Sequence, residues 1–259
     1  MPWRNKPGPV SRRLPKREVI DISACGTIRA VVFDMDGVLI DSHPAHRAAW
    51  LQFLAAVNIT VSEQELAFIL EGRTRTEILR HFLGDRPNDE LRQYGRLKDA
   101  IFRRMERDIR PVRGVCRFLE ELERRGIARA IATSASEIRT FSTIERMGLG
   151  GCFDAVVTAA DVTAGKPDPM VYRLACQRIG TAPGRALAFD DACAGVQSAR
   201  SAGLRCVGVC RNGMAQALLQ SGAETVIPDF EGFAFDSVGR TPERIFARSS
   251  GAKPLEAGS

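Results

Sequence analysis

From Arg29 onward, short apolar runs alternate with stretches whose apolar residues recur every three or four positions. The runs Ala30–Phe33, Ala128–Ala132, Ala155–Thr158, Ala186–Phe189, Cys206–Val209 and a weaker Thr225–Ile227 read as strands, each followed by a turn signal and a helix-like segment. Strands that are apolar throughout, separated by helices, predict a parallel sheet buried on both faces. The expected fold class is therefore α/β, with a Rossmann-like three-layer core.

One interval breaks the alternation. Between about Pro44 and Ile109 there is no credible strand, but four helical patterns occur: Trp50, Phe53, Leu54 and Val57; Leu66, Ile69 and Leu70; Ile78, Leu79 and Phe82; Leu97, Ile101 and Met105. A crossover this long exceeds a single connecting helix, so an all-helical cap subdomain is expected at 43–110, inserted after the first strand. Turn formers at Asp41–Pro44 and Arg110–Gly114 mark its ends. The catalytic core would then comprise 29–42 and 111–235, flanked by a basic flexible extension (1–28) and a Gly/Ser-rich tail (236–259).

Composition changes this picture little. The formal charge of +6 suggests a nucleic-acid partner until it is located: residues 1–27 hold six basic and two acidic side chains and so contribute +4 of it. No nucleic acid is expected. No run reaches the ~18 apolar residues of a membrane span, so no membrane partner is expected either. The seven scattered cysteines form no C-x-x-C pair and read as packed thiols. With no apolar export signal, a reducing cytoplasm is the expected compartment, and a monomer the working expectation.

The chemistry concentrates at strand ends. In Phe33-Asp34-Met35-Asp36-Gly37 the alternation of an extended chain points Asp34 and Asp36 the same way. Two carboxylates aimed together repel unless a cation or a proton lies between them, and the carboxyl edge of an open α/β sheet is where ligands bind. Alone, such a pair is also what an acidic turn looks like. Asp190 and Asp191, however, end another strand. Thr133 and Ser134 end a third, just before a helix whose amino terminus suits phosphate. Lys166 sits in the rigid Gly165-Lys166-Pro167-Asp168-Pro169 loop.

The segments FDMDGVLIDS, ATSAS, GKPDP and FDDACAGVQSARSAG, in this order, closely resemble the four motifs of the haloacid dehalogenase-like superfamily. The helical insert resembles that superfamily's class 1 cap. The resemblance covers roughly residues 29–230. It implies Asp34 as the covalent nucleophile and Asp36 as the acid and base. It implies Mg²⁺ held by Asp34, the Asp36 carbonyl and Asp191, with Asp190 nearby or acting through water. Thr133, Ser134 and Lys166 would bind the transferring oxygens. It further implies that an Asp at position 36 favours phosphate esters over halides or phosphonates.

Within the superfamily, residues 34–50 are similar to the β-phosphoglucomutase branch, with His46 on its hinge-region histidine. Gly72-Arg73-Thr74-Arg75 resembles its substrate-phosphate loop, and Lys98 falls on its cap lysine when a gap is allowed. Arg73, the Thr76-Glu77 pair and Ser42 depart from that pattern. His46, Arg75, Lys98 and Ser134 are therefore the expected substrate-binding residues. His43 and His81 have no partner pattern and are read as ligands of nothing; Trp50 reads as core. The expected activity is hydrolysis of a small phosphorylated metabolite, a sugar phosphate first, through an aspartyl-phosphate. A phosphosugar mutase is the alternative, and a catalytically idle interaction protein the second alternative.

Overall fold

A computed structural model describes residues 28–69, 74–211 and 213–233. The expectations for 1–27 and 234–259, and for Gly72 and Arg73, lie outside the described residues. The strands are β1 (Ala30–Phe33), β2 (Ala128–Ala132), β3 (Ala155–Val157), β4 (Ala186–Asp190), β5 (Arg205–Val209) and β6 (Thr225–Ile227). All six expected strands are present, with ends moved by at most one residue. They form one parallel sheet in the order β3-β2-β1-β4-β5-β6.

The central strand is buried on both faces, and its alternation divides the core. Val31 and Phe33 join Ile131, Leu187, Phe189 and Val207 on one side, against Val115, Phe118 and Leu122 of α5 (Val115–Arg124). Phe33 stacks on Phe189 with ring centroids 5.5 Å apart. Ala30 and Val32 join Ala130, Ala132 and Ala188 on the other side, which α7 (Met170–Arg178) and α8 (Cys193–Ser201) cover. Large residues on one face and alanines on the other set how closely each helix layer approaches. The remaining core helices are α6 (Glu137–Arg146) and α9 (Ala215–Gln220). The result is the Rossmann-like α/β fold that the strand pattern predicts.

Ahead of α5, four described helices follow β1 and make up the insert: α1 (His43–Ala56), α2 (Glu63–Ile69), α3 (Arg75–Leu83) and α4 (Asn88–Met105). α1 buries Ala49, Trp50, Phe53 and Leu54. α3 starts with a capping box: Glu77 N–H donates to Thr74 Oγ1 (3.3 Å) and Thr74 N–H to Glu77 Oε2 (2.7 Å). α4 departs from the expected face. Its buried stripe is Leu91, Gly95, Lys98, Ile101 and Phe102, whereas Leu97 is 45% exposed. The apolar count alone chose the wrong register, because the true stripe contains a glycine and a lysine.

The two connections to this insert run side by side. Asp41 N–H donates to Arg110 O (2.9 Å) and Val112 N–H to Leu39 O (2.9 Å). Among the described residues no helix is long and apolar enough to cross a membrane.

Candidate active site

The chain leaves β1 to build β2 and β3 on one side, then returns to lay β4 on the other. Such a reversal leaves a crevice at the carboxyl ends of the two central strands. A cavity of about 160 Å³ lies there, walled by those strand ends, the start of α6, and α1, α3 and α4 of the insert.

Asp34 continues the β1 ladder by donating its N–H to Phe189 O (2.9 Å), which fixes its side chain at the cleft floor. Lys166 Nζ donates to Asp34 Oδ1 (2.6 Å) and to Asp190 Oδ2 (2.7 Å). Tyr172 Oη donates to the same Asp190 oxygen (2.6 Å), and Ala192 N–H donates to the other (3.0 Å). Lys166 is 2% exposed and bridges the two carboxylates. Asp190 accepts from Lys166, Tyr172 and the Ala192 N–H before α8.

Asp36 faces the cleft with three partners. Ser42, the residue before α1, diverts its hydroxyl from capping that helix and donates to Asp36 Oδ1 (2.5 Å). His46 Nε2 lies 3.2 Å from the same oxygen. Arg139 of α6 grips both oxygens, through Nη1 to Oδ1 at 3.0 Å and through Nη2 to Oδ2. Burial pushes the Asp36 carboxyl up, but Arg139 and His46 outweigh it and hold it well below the usual range. The carboxylate expected to protonate a leaving group is thus ionised and clamped.

Asp191 lies across Gly37, whose φ of +75° turns the chain out of β1 and whose missing Cβ leaves room for the Asp191 carboxylate and the His43 ring. His43 Nε2 is 2.6 Å from the buried Asp191 Oδ2. His43, read from sequence as partnerless, has a partner after all. Burial lowers the basicity of its ring, but the bond to and charge of Asp191 prevail and raise its pKa to about 9. Thr133 and Ser134 both line the cleft, with Thr133 Oγ1 accepting from Ala135 N–H (3.1 Å).

The insert supplies His46, Lys98 and Arg75, all lining the cleft as expected. Lys98 Nζ lies 3.2 Å from His46 Nδ1, on the opposite side of the ring from Asp36. Burial, then the nearby Lys98 charge, depresses His46 to about 3 and keeps it neutral. Burial first, and Arg139 second, lower Lys98 to about 7. Its ammonium lies over the Trp50 and Phe102 rings, at 5.1 and 4.8 Å. Arg75 is ion-paired with Asp99, its guanidinium seated where Gly95 lacks a Cβ. His81 stacks on Phe68 at 4.0 Å and does not line the cleft. Trp50 is 2% exposed and belongs to the core while bordering the cleft.

Charge at the floor is unbalanced. Burial above all, with Asp190, Asp191 and Asp36 adding to it against Lys166, raises the Asp34 carboxyl to about 8. Clustered carboxylates with surplus negative charge fit a hard divalent cation. Among the described residues no three His, Cys, Asp or Glu side chains converge as a metal cluster.

Residues 31–209 match the haloacid dehalogenase-like hydrolase family. The chain is 34% identical to hexitol phosphatase A of Escherichia coli strain K12 over 70% of its length and 82% of the relative's. It is 27% identical to the β-phosphoglucomutase of Bacillus subtilis strain 168, over 77% and 89%. The crystal structure of β-phosphoglucomutase from Clostridium difficile superposes with a TM-score of 0.72 at 22% identity, covering 85% of this chain and 96% of that one. That last likeness is one of fold.

Proposed function

The chain belongs to the haloacid dehalogenase-like hydrolase family and is an enzyme of the phosphoryl-transfer type, and we propose that it is a Mg²⁺-dependent phosphatase of small phosphorylated metabolites, sugar phosphates first, acting through an aspartyl-phosphate. The observation that carries this reading is the floor of the cleft. Asp34 is fixed there by Lys166, which Asp190 and Tyr172 hold in turn, with Asp36 two residues further along the same edge.

In the first step an Asp34 oxygen attacks phosphorus and the bond from phosphorus to the ester oxygen breaks. Asp36, once out of the Arg139 clamp and protonated from solvent, gives that proton to the leaving oxygen. In the second step the Asp36 carboxylate takes a proton from water, which attacks phosphorus and releases Asp34 and inorganic phosphate. Covalent catalysis thus divides one hard displacement into two, and the proton transfers are worth roughly 10²–10⁴-fold. Thr133 and Ser134, which line the cleft ahead of α6, would bind the phosphoryl oxygens. Mg²⁺ would be held by Asp34, the Asp36 carbonyl and Asp191, and when bound supplies the positive charge that lets a carboxylate meet an anionic ester. The 43–110 insert would act as a cap that shuts bulk water out.

The decisive measurement is turnover of p-nitrophenyl phosphate with and without Mg²⁺, beside Asp34→Asn. Metal-dependent release of phosphate, lost by at least about 10³-fold in the variant, is expected. Metal-independent turnover, or an active Asp34→Asn protein, overturns the reading.

A mutase is a second reading, favoured by Lys98 and His46 lying together in the cleft. It predicts that β-glucose 1-phosphate, with a trace of β-glucose 1,6-bisphosphate, becomes glucose 6-phosphate without inorganic phosphate. The phosphatase predicts phosphate release from many esters. The idle-scaffold alternative is set aside, because the family assignment is joined by a full set of reactive groups around one cleft.

A further inference from the structure

We propose that Arg139 is a positioning residue that withholds Asp36 until a second anionic group of the substrate takes its place. The enzyme would then favour phosphate esters that also carry a carboxylate or another phosphate. This rests on the reading above, in which Asp36 is the acid.

Both Asp36 oxygens are occupied, one by Arg139 Nη1 (3.0 Å), Ser42 Oγ (2.5 Å) and His46 Nε2 (3.2 Å), the other by Arg139 Nη2. With both oxygens held by Arg139, the Asp36 side chain is kept from reaching a leaving oxygen. To serve the leaving oxygen it must turn out of the clamp. A guanidinium released by one carboxylate is matched best by another planar or tetrahedral oxyanion, which it can hold through two parallel bonds.

The surroundings of Arg139 suit such an exchange. Its side chain is 12% exposed, and its guanidinium lies 5.3 Å from the Phe102 ring centre with Nη1 3.2 Å from His46 Nε2. The ring beneath it is that of α4, while Arg139 itself belongs to α6, so the clamp joins the insert to the core. Arg75, Lys98 and Arg139 line the cleft, beside His43 paired with Asp191. Arg75 is satisfied by Asp99 and Arg139 by Asp36, but Lys98 forms no ion pair among the described residues. An incoming anion would therefore find Lys98 unneutralised and Asp36 in the place it would occupy. Asp36 in this structure stands where the substrate's second charge would sit.

The test compares glucose 6-phosphate with 6-phosphogluconate, and fructose 6-phosphate with fructose 1,6-bisphosphate, in the Mg²⁺-loaded enzyme. The wild type is expected to prefer the more anionic member of each pair by at least about tenfold in kcat/KM. Arg139→Gln is expected to act in opposite directions. It lowers kcat/KM for the members with a second anionic group roughly 30-fold, the size of a lost charge-assisted bond, and raises kcat for the members without one several-fold by freeing Asp36. Arg139→Lys, which keeps the charge but not the two-pronged geometry, should fall between. A wild type with no preference overturns the proposal, as does an Arg139→Gln protein that loses both substrates by the same factor. If Arg139→Gln does not fold, the wild-type preference together with Arg139→Lys decides. Asp34→Asn separates the two levels: an active Asp34→Asn enzyme removes the phosphatase reading and this proposal with it, whereas an inactive one with equal Arg139 losses removes only this proposal.

Discussion

Gly195 lies in the first turn of α8, where a Cβ would overlap the Asp190 carboxylate. That carboxylate positions Lys166, and Lys166 positions Asp34, so a methyl group far from any substrate reaches the nucleophile through two bonds. Gly195→Ala is expected to lower kcat for p-nitrophenyl phosphate about 10²-fold, the cost of a displacement near 1 Å at a reacting group. Circular dichroism should show the fold retained; unchanged kcat would disprove the relay. Asp34, Asp36, Thr133, Ser134 and Asp191 were legible in the sequence because strand alternation and strand ends fix where they point. Tyr172 and Arg139 were not. Each sits on a helix with ordinary spacing, and the partner that gives it meaning is 18 residues away for Tyr172 and 103 for Arg139. Nothing local distinguishes such an arginine from a solvated one.

At the scale of the element, α4 shows how a functional residue disguises a helix face. Lys98 occupies a position in the buried stripe, 3% exposed, between Gly95 and Phe102. Counting apolar residues therefore shifted the predicted face to Leu97, while the resemblance to the mutase branch pointed to Lys98 without saying that it was buried. The burial has a thermodynamic signature. Its pKa falls from 10.5 to about 7 on folding, so the unfolded chain binds more protons between those values. Stability contributed through this group then rises with pH across the window, and the penalty is fully present below pH 7. Lys98→Met removes the penalty. It is expected to stabilise the protein by about 1–4 kcal/mol at pH 6.5, and much less at pH 10, in urea unfolding of the metal-free protein. A gain independent of pH would show that the lysine is not desolvated in the native state.

On the scale of the whole molecule, the question is what holds the helical insert against the sheet edge. The paired connections at Asp41 and Arg110 fix its root, and Arg146 of α6 reaches the buried Glu106 at the end of α4 at 2.5 Å. A further approach lies at the Lys166 loop. A Cβ on Gly165, the residue before Lys166, would meet Thr74 Cγ2 at 2.5 Å. Gly165 is absent from the positive-φ glycines, so its backbone accepts a side chain and only this contact forbids one. Gly165→Ala should therefore prop the insert away from the core without disturbing β4 or Asp34. KM for sugar phosphates is expected to rise roughly tenfold, since closure completes the site. Thr74→Ser offers the matching relief: it removes Cγ2 and keeps the hydroxyl that caps α3. If steric separation is the cause, adding Thr74→Ser to Gly165→Ala restores KM, and the double-mutant cycle shows coupling between residues that touch only when the cleft is closed. Additive losses in that cycle would mean that Gly165 serves the Lys166 loop alone, and that closure depends on contacts elsewhere.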